Sequence, residues 1–351
     1  MSRYWSELVN QLTPYVPGEQ PQLEKLVKLN TNESPYPPSP AVLAAVNSVD
    51  GEKLRLYPDP ESSELKRAFA QLNGLEADQV FIGNGSDEVL AHAFQGLLKH
   101  QLPLYFPDVS YSFYPVWCDL YGIEYRQVPV CADFAIDPER YPVDNGGVVI
   151  PNPNAPTGVL MSLEAIRHLL ERSRQSVVVI DEAYIDFGGQ SATSLIPEHD
   201  NLLVVQTLSK SRALAGLRVG VAMGSAGLIE GLERIKNSFN SYPLDILAQQ
   251  AALASLADET YFRDSCKRVI ASRETLTGEL RALGFQVLPS AANFVFARHP
   301  QRPAAGLFAA LRERGILVRY FDKPRISDYL RISIGTGKDC EQLVAALRDL
   351  L

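Results

Sequence analysis

At 351 residues the chain is long enough for two domains, and 46% hydrophobic with 21% charged residues fits an ordinary globular protein. A formal net charge of -8 speaks against nucleic-acid binding, which rewards clustered positive charge, but leaves room for small anions held by a few local arginines. The four cysteines (Cys118, Cys131, Cys266, Cys340) are too widely spaced for a metal or redox pair. No signal peptide or membrane-length apolar run is visible, so a cytoplasmic protein without a membrane partner is expected.

Residues 1–50 read as an arm, rich in Pro, Asn and Tyr, with one short helix near Val42–Val46. Asn32-Glu33-Ser34-Pro35-Tyr36-Pro37-Pro38 cannot be regular helix, because each proline removes a donor and fixes φ. Such an arm must lie against a partner subunit or against the chain's own second domain.

Residues 51–243 read as a large α/β domain. Leu65, Phe69 and Leu72 mark one helical face, and Leu90, Phe94, Leu97 and Leu98 another. Short apolar runs then recur at Val80–Ile82, Pro103–Phe106, Gly147–Ile150, Val177–Ile180, Leu202–Val205 and Arg218–Ala222. With helical patterns between some of them, these runs predict a mostly parallel sheet covered on both faces. Residues 244–351 carry two longer helical stretches. Strands follow near Asn293–Phe296, Ile316–Val318 and Leu330–Ile334, which suggests a smaller α+β domain.

Three features fall where strands of the large sheet end, the usual place for a ligand in an open α/β sheet. Gly83-Asn84-Gly85-Ser86-Asp87-Glu88 opens the Leu90–Leu98 helix; its free amides suit a phosphate, although a plain helix cap explains the same residues. The run Val177–Ile180 delivers Asp181, with Tyr184 three residues on. That carboxylate can pair with a protonated ring nitrogen and that phenol with an anionic oxygen, or Asp181 can simply cap the next element. Lys210 lies just past Leu202–Val205, with hydroxyls at Thr207 and Ser209 and with Arg218 eight residues on. A lysine so placed suits covalent catalysis, and an arginine at that distance suits bidentate phosphate binding.

The lysine segment, Leu208-Ser209-Lys210 followed by Leu214-Ala215-Gly216-Leu217-Arg218-Val219-Gly220, resembles that of fold type I aminotransferases, specifically the histidinol-phosphate aminotransferases. The likeness covers essentially the whole chain. It includes Asn30–Pro35, Arg55–Asp59, Gly85–Glu88, Pro151–Gly158, Asp181–Tyr184 and Leu330–Thr336. It implies pyridoxal 5'-phosphate (PLP) as cofactor and reversible amino transfer between histidinol phosphate and 2-oxoglutarate. It also implies a homodimer with a shared site.

Carried over by position, the resemblance makes Lys210 the PLP lysine, Asp181 the partner of the ring nitrogen and Tyr184 the donor to the phenolate oxygen. Tyr111 would stack on the ring. Gly85, Ser86, Asp87, Thr207, Ser209 and Arg218 would surround the phosphate, with Tyr57 arriving from the other subunit. Arg319 and Arg331 would hold substrate anions, and Tyr15, Asn30 and Tyr57 would line the rest. One position departs from the pattern: an asparagine is usual directly before Pro-Thr-Gly, and this chain has Ala155, so Asn154 is the candidate substitute. The alternatives are another aminotransferase acting on aromatic amino acids, a PLP-dependent phosphothreonine decarboxylase, or a non-enzymatic sensor on the same fold.

Overall fold

The structure is a computed structural model that describes residues 2–19 and 26–351. In chain order its strands are β1 (Val27–Lys28), β2 (Val80–Asn84), β3 (Leu104–Pro107), β4 (Tyr125–Val128), β5 (Val148–Pro151), β6 (Val178–Asp181), β7 (Leu202–Thr207), β8 (Val219–Gly224), β9 (Gln286–Val287), β10 (Phe294–Arg298), β11 (Ile316–Leu317), β12 (Arg319–Tyr320) and β13 (Leu330–Ser333). The helices are α1 (Glu7–Gln11), α2 (Pro40–Asn47), α3 (Gly51–Leu54), α4 (Ser63–Asn73), α5 (Ser86–Leu97), α6 (Tyr114–Tyr121), α7 (Leu163–Arg172), α8 (Ala226–Phe239), α9 (Ile246–Ala257), α10 (Glu259–Ala282), α11 (Ala304–Glu313) and α12 (Gly337–Leu350).

Seven strands form one sheet in the order β2-β8-β7-β6-β5-β3-β4. The pairs from β7 through β4 are parallel, and β8 runs antiparallel to both of its neighbours. Successive strand residues point to opposite faces, and here both faces are covered, so every position can be apolar. Val178 and Ile180 of β6 join the core beneath α4, α7 and α9, whereas Val179 joins the core beneath α5, α6 and α8. β7 divides likewise, with Leu202 and Val204 on the first face and Leu203 and Val205 on the second. Truncating a fully buried side chain such as Leu203 to alanine costs about 2–5 kcal/mol.

The edge strand β4 was not signalled by any apolar run. Its sequence is Tyr-Arg-Gln-Val, and only Val128 is buried. α9 follows residue 243, where the second domain was expected to begin, yet Leu244, Ala248, Ala251 and Ala252 pack into the large-sheet core with Val42 and Leu65. Small residues let this helix approach α2 closely.

A second sheet, antiparallel in the order β12-β13-β10-β9, packs with α10, α11 and α12 around Val295, Ile332, Leu276, Leu311 and Leu343. The arm joins this layer: β1 pairs parallel with β11, and Leu29 enters its core. No helix among the described residues is long and apolar enough to cross a membrane.

Strand directions gather the site. β5, β6 and β7 are parallel, so their ends at Pro151, Asp181 and Thr207 share one edge of the sheet. β8 is reversed, so its beginning lies at that same edge, with Gly220 opposite Thr207 and Val219 opposite Asn84 at the end of β2.

Candidate active site

A cleft of about 240 Å³ opens at this edge, lined from the large sheet, the arm and the second sheet. Lys210, three residues beyond β7, points its Nζ at the carbonyl of Thr31 at 3.2 Å and lies 5.8 Å from the Tyr184 ring centroid. The arm therefore closes over the lysine instead of passing it by.

Asp181 ends β6 and is buried. Burial pushes its carboxyl up to about 6, against the pull of a hydrogen bond from Tyr114 to Oδ2 at 2.8 Å. Oδ1 is buried and has no hydrogen-bond partner among the described residues. An acceptor held this way fits a protonated ring nitrogen well.

Arg218 immediately precedes β8, in the left-handed region (φ 51°). Its Nη1 donates to Ser209 Oγ at 3.3 Å and its Nη2 to Asp87 Oδ2 at 3.1 Å. Asp87 also accepts from the Tyr111 hydroxyl at 3.0 Å, and Thr207 Oγ1 lies 3.0 Å from Ser209 Oγ. Burial, with Asp87 nearby, holds the Tyr111 phenol well above its usual range. Helix α5 has no side-chain cap, so the amides of its first turn remain for another acceptor. These amides with Ser86, Ser209 and Arg218 make a cradle for a phosphate dianion. The Asp87 carboxylate instead organises Arg218 and Tyr111. Gly85 lets Arg218 sit against the start of α5: a Cβ there would run into the guanidinium.

Across the cleft, Arg331 of β13 donates from Nη2 to the carbonyl of Asn30 at 2.8 Å, and its Nε is buried without a partner. Burial and the charge of Arg319 both lower its pKa, and neither arginine is paired with a carboxylate among the described residues. Asn30 holds the arm through a bond from Nδ2 to the Glu19 carbonyl at 2.8 Å. Tyr15 stacks on Phe113 with centroids 4.7 Å apart and also lines the cleft.

Two expected residues are placed elsewhere. Asn154 is fully buried and its Nδ2 donates to the Val109 carbonyl at 2.9 Å. The donor wanted in place of Ala155 is therefore engaged in loop packing, and Asn154 is not among the lining residues, which corrects the expectation that it substitutes. Tyr57 is 81% exposed, stacked on Tyr242, and does not reach the cleft of its own chain. The sequence reading missed Tyr114, 67 positions from the Asp181 it serves, and no local signal could have found it. It also passed over Asn32, which bonds to Tyr184; the surrounding Asn30–Pro35 motif was the available signal.

The class I and II aminotransferase family matches residues 24–347. The chain is 60% identical to histidinol-phosphate aminotransferase 1 of Hydrogenovibrio crunogenus, over 100% of this chain and 99% of that one. It is also 60% identical to histidinol-phosphate aminotransferase 2 of Dechloromonas aromatica, with the same coverage. The chain belongs to the histidinol-phosphate aminotransferase family. Among solved structures it is similar to the Sinorhizobium meliloti histidinol-phosphate aminotransferase, crystallised with pyridoxal 5'-phosphate, with TM-score 0.88 and 24% identity over 100% of this chain and 99% of that one. The expected fold type I architecture is thereby established, and PLP is the cofactor of this aminotransferase. The Asp181 Oδ1, unpartnered among the described residues, and the Arg218 cradle line the same cleft and fit the ring nitrogen and the phosphate of that group.

Proposed function

We propose that the enzyme transfers an amino group reversibly between L-histidinol phosphate and 2-oxoglutarate, using PLP held on Lys210. The observation that carries the substrate reading is the pair of arginines, Arg319 and Arg331, which line one cleft and are ion-paired with no carboxylate among the described residues. Both substrates bring an anion, a phosphate in one and a carboxylate in the other, and a guanidinium presents planar donors to either.

PLP supplies an electron sink for charge that develops at the substrate's Cα. Asp181 Oδ1 would accept from a ring nitrogen and favour its protonated form. Tyr111 would pack against the ring, and Tyr184 would donate to its phenolate oxygen. Ser86, Ser209, Arg218 and the first amides of α5 would hold the phosphate. Lys210 would hold the group, and its Nζ would carry a proton to and from the substrate's Cα. Tyr15, Asn30 and the arm exclude water from the reacting atoms. Residues 51–243 with the second sheet behind them thus act as platform and anion holder.

A homodimer in the cytoplasm belongs to the same reading. Tyr57, Tyr242, Leu54, Leu56 and Phe239 are exposed large side chains, which supports a second copy covering them and receiving Tyr57 at its phosphate. The four cysteines are unpaired, as a reducing compartment would leave them.

The test is an amino-donor screen on PLP-loaded enzyme, read from the cofactor's absorption and from product formation. Histidinol phosphate should exceed histidinol and phenylalanine in kcat/KM by at least about 100-fold, since buried donors reject a partner that leaves them unpaired. Equal turnover of phenylalanine would favour an aromatic aminotransferase. Carbon dioxide release from phosphothreonine would favour a decarboxylase.

A further inference from the structure

With alanine at position 155 and the Asn154 amide turned to Val109, the loop before Thr157 offers the cofactor no side-chain donor. What the structure has instead is a relay. Asn32 is 1% exposed, lines the cleft, and sits in the left-handed region at φ 56°, which asparagine tolerates better than most residues. Its Nδ2 lies 3.1 Å from the Tyr184 hydroxyl.

The direction of that hydrogen bond is fixed by the neighbours of Asn32. Ser333 Oγ accepts from the Asn32 backbone N–H at 2.9 Å, so its own hydrogen is free for Asn32 Oδ1 at 2.8 Å. With Asn32 Oδ1 accepting from Ser333, the amide's NH₂ faces Tyr184. The Asn32 carbonyl in turn accepts from Asn293 Nδ2 at 2.9 Å. A tyrosine hydroxyl has a single hydrogen. Because this one accepts from Asn32, its hydrogen is left to point into the cleft. Accepting one hydrogen bond also strengthens the one donated. The ring beneath is held apolarly: Phe294 meets it edge-on at 5.1 Å, and Ala155 packs in the same small cluster.

We propose that Asn32 is a positioning residue that commits the Tyr184 hydroxyl to donating to the phenolate oxygen of PLP, in place of the direct donor absent at Ala155. This rests on Tyr184 being that donor, as read above. A donor on the phenolate oxygen competes with the proton on the nitrogen that links lysine and cofactor. Weakening the donor therefore raises the pH at which that proton leaves.

The experiment is a pH titration of the bound cofactor's absorption in Asn32→Gly, Tyr184→Phe and the double variant. Glycine accepts the φ of 56° and keeps the backbone bonds to Ser333 and Asn293, so only the relay is lost. Each single variant should raise the midpoint by roughly 0.3–1 pH unit, the size of one hydrogen bond. The double variant should match Tyr184→Phe alone. A shift from Asn32→Gly that persists beside Tyr184→Phe, or no shift from Asn32→Gly where Tyr184→Phe gives one, overturns the relay and leaves the Tyr184 reading standing. No shift from Tyr184→Phe itself overturns both. If the glycine variant does not fold, the isosteric Asn32→Asp carries the test: it turns the Tyr184 hydrogen away from the cleft, so its upward shift should shrink beside Tyr184→Phe. A shift of equal size in both backgrounds refutes the relay.

Discussion

Tyr114 donates to Asp181 Oδ2 at 2.8 Å while Oδ1 of the same carboxylate is buried without a hydrogen-bond partner among the described residues. One oxygen is tied to the fold, and the other is the one we propose the cofactor's ring nitrogen takes. Removing the tie in Tyr114→Phe should raise the Asp181 pKa further above about 6, because the hydrogen bond is the main influence lowering it. More of the carboxyl is then protonated at pH 7. PLP affinity at pH 7 should fall by about 1–2 kcal/mol, with much of the loss recovered near pH 8.5. Equilibrium PLP titration at the two pH values checks this, and an equal loss at both would contradict it.

Asp181→Asn should stabilise the cofactor-free protein while impairing transfer. The folded-state pKa of Asp181 is raised to about 6 by burial, above its unfolded value. Its contribution to stability is therefore fully present below the unfolded pKa and is lost as pH rises through about 6. The asparagine never ionises and escapes that loss. Thermal melts of cofactor-free protein should show the variant more stable by about 1–3 kcal/mol at pH 8, with the difference vanishing near pH 4. A variant less stable than the parent at pH 8 would be the contrary result.

The arginines should separate substrate from cofactor binding. Arg331→Lys keeps charge but loses the planar donor set, including the bond to the Asn30 carbonyl. KM for both substrates should rise by about 1.5–3 kcal/mol in binding terms, roughly ten- to a hundredfold. Arg319→Gln should act in the same direction. Steady-state kinetics beside a PLP titration gives the answer; loss of PLP affinity alone would remove both residues from the substrate end.

Tyr57 is expected to serve the partner's phosphate. Lys210→Ala chains should be inactive, since the covalent anchor and proton carrier disappear together. Mixed dimers of tagged Tyr57→Phe chains with Lys210→Ala chains contain one lysine-bearing cleft, in the Tyr57→Phe chain. If Tyr57 acts across the interface, that cleft receives an intact tyrosine and binds PLP with parental affinity. Binding weaker by about 0.5–2 kcal/mol would place Tyr57 in its own chain's pocket.

Much of this architecture is legible before any coordinates. The apolar runs ending at Asp181 and Thr207 carry both the strands and the direction of the sheet, because a strand covered on both faces has to be apolar throughout. Lys210, Asp181, Tyr184 and Arg218 could be picked out because each follows or begins such a run. Tyr114 could not, since its partner lies 67 positions away and it does not stand at a strand end; Asn32, 152 positions from Tyr184, was marked only by the Asn30–Pro35 motif around it. Asn154 misled for a different reason. Adjacent side chains on an extended segment diverge, and this one turned inward to the Val109 carbonyl.

The bond between Asn32 and Ser333 spans 301 positions, and β1 cannot pair until β11 exists. During synthesis the seven strands of the large sheet are complete once residue 224 has emerged, while the arm still lacks its docking surface. The lysine is thus made well before the wall that Thr31 builds over it. A ribosome stalled or terminated after α10 would release a chain with a finished sheet and an open, unguarded lysine.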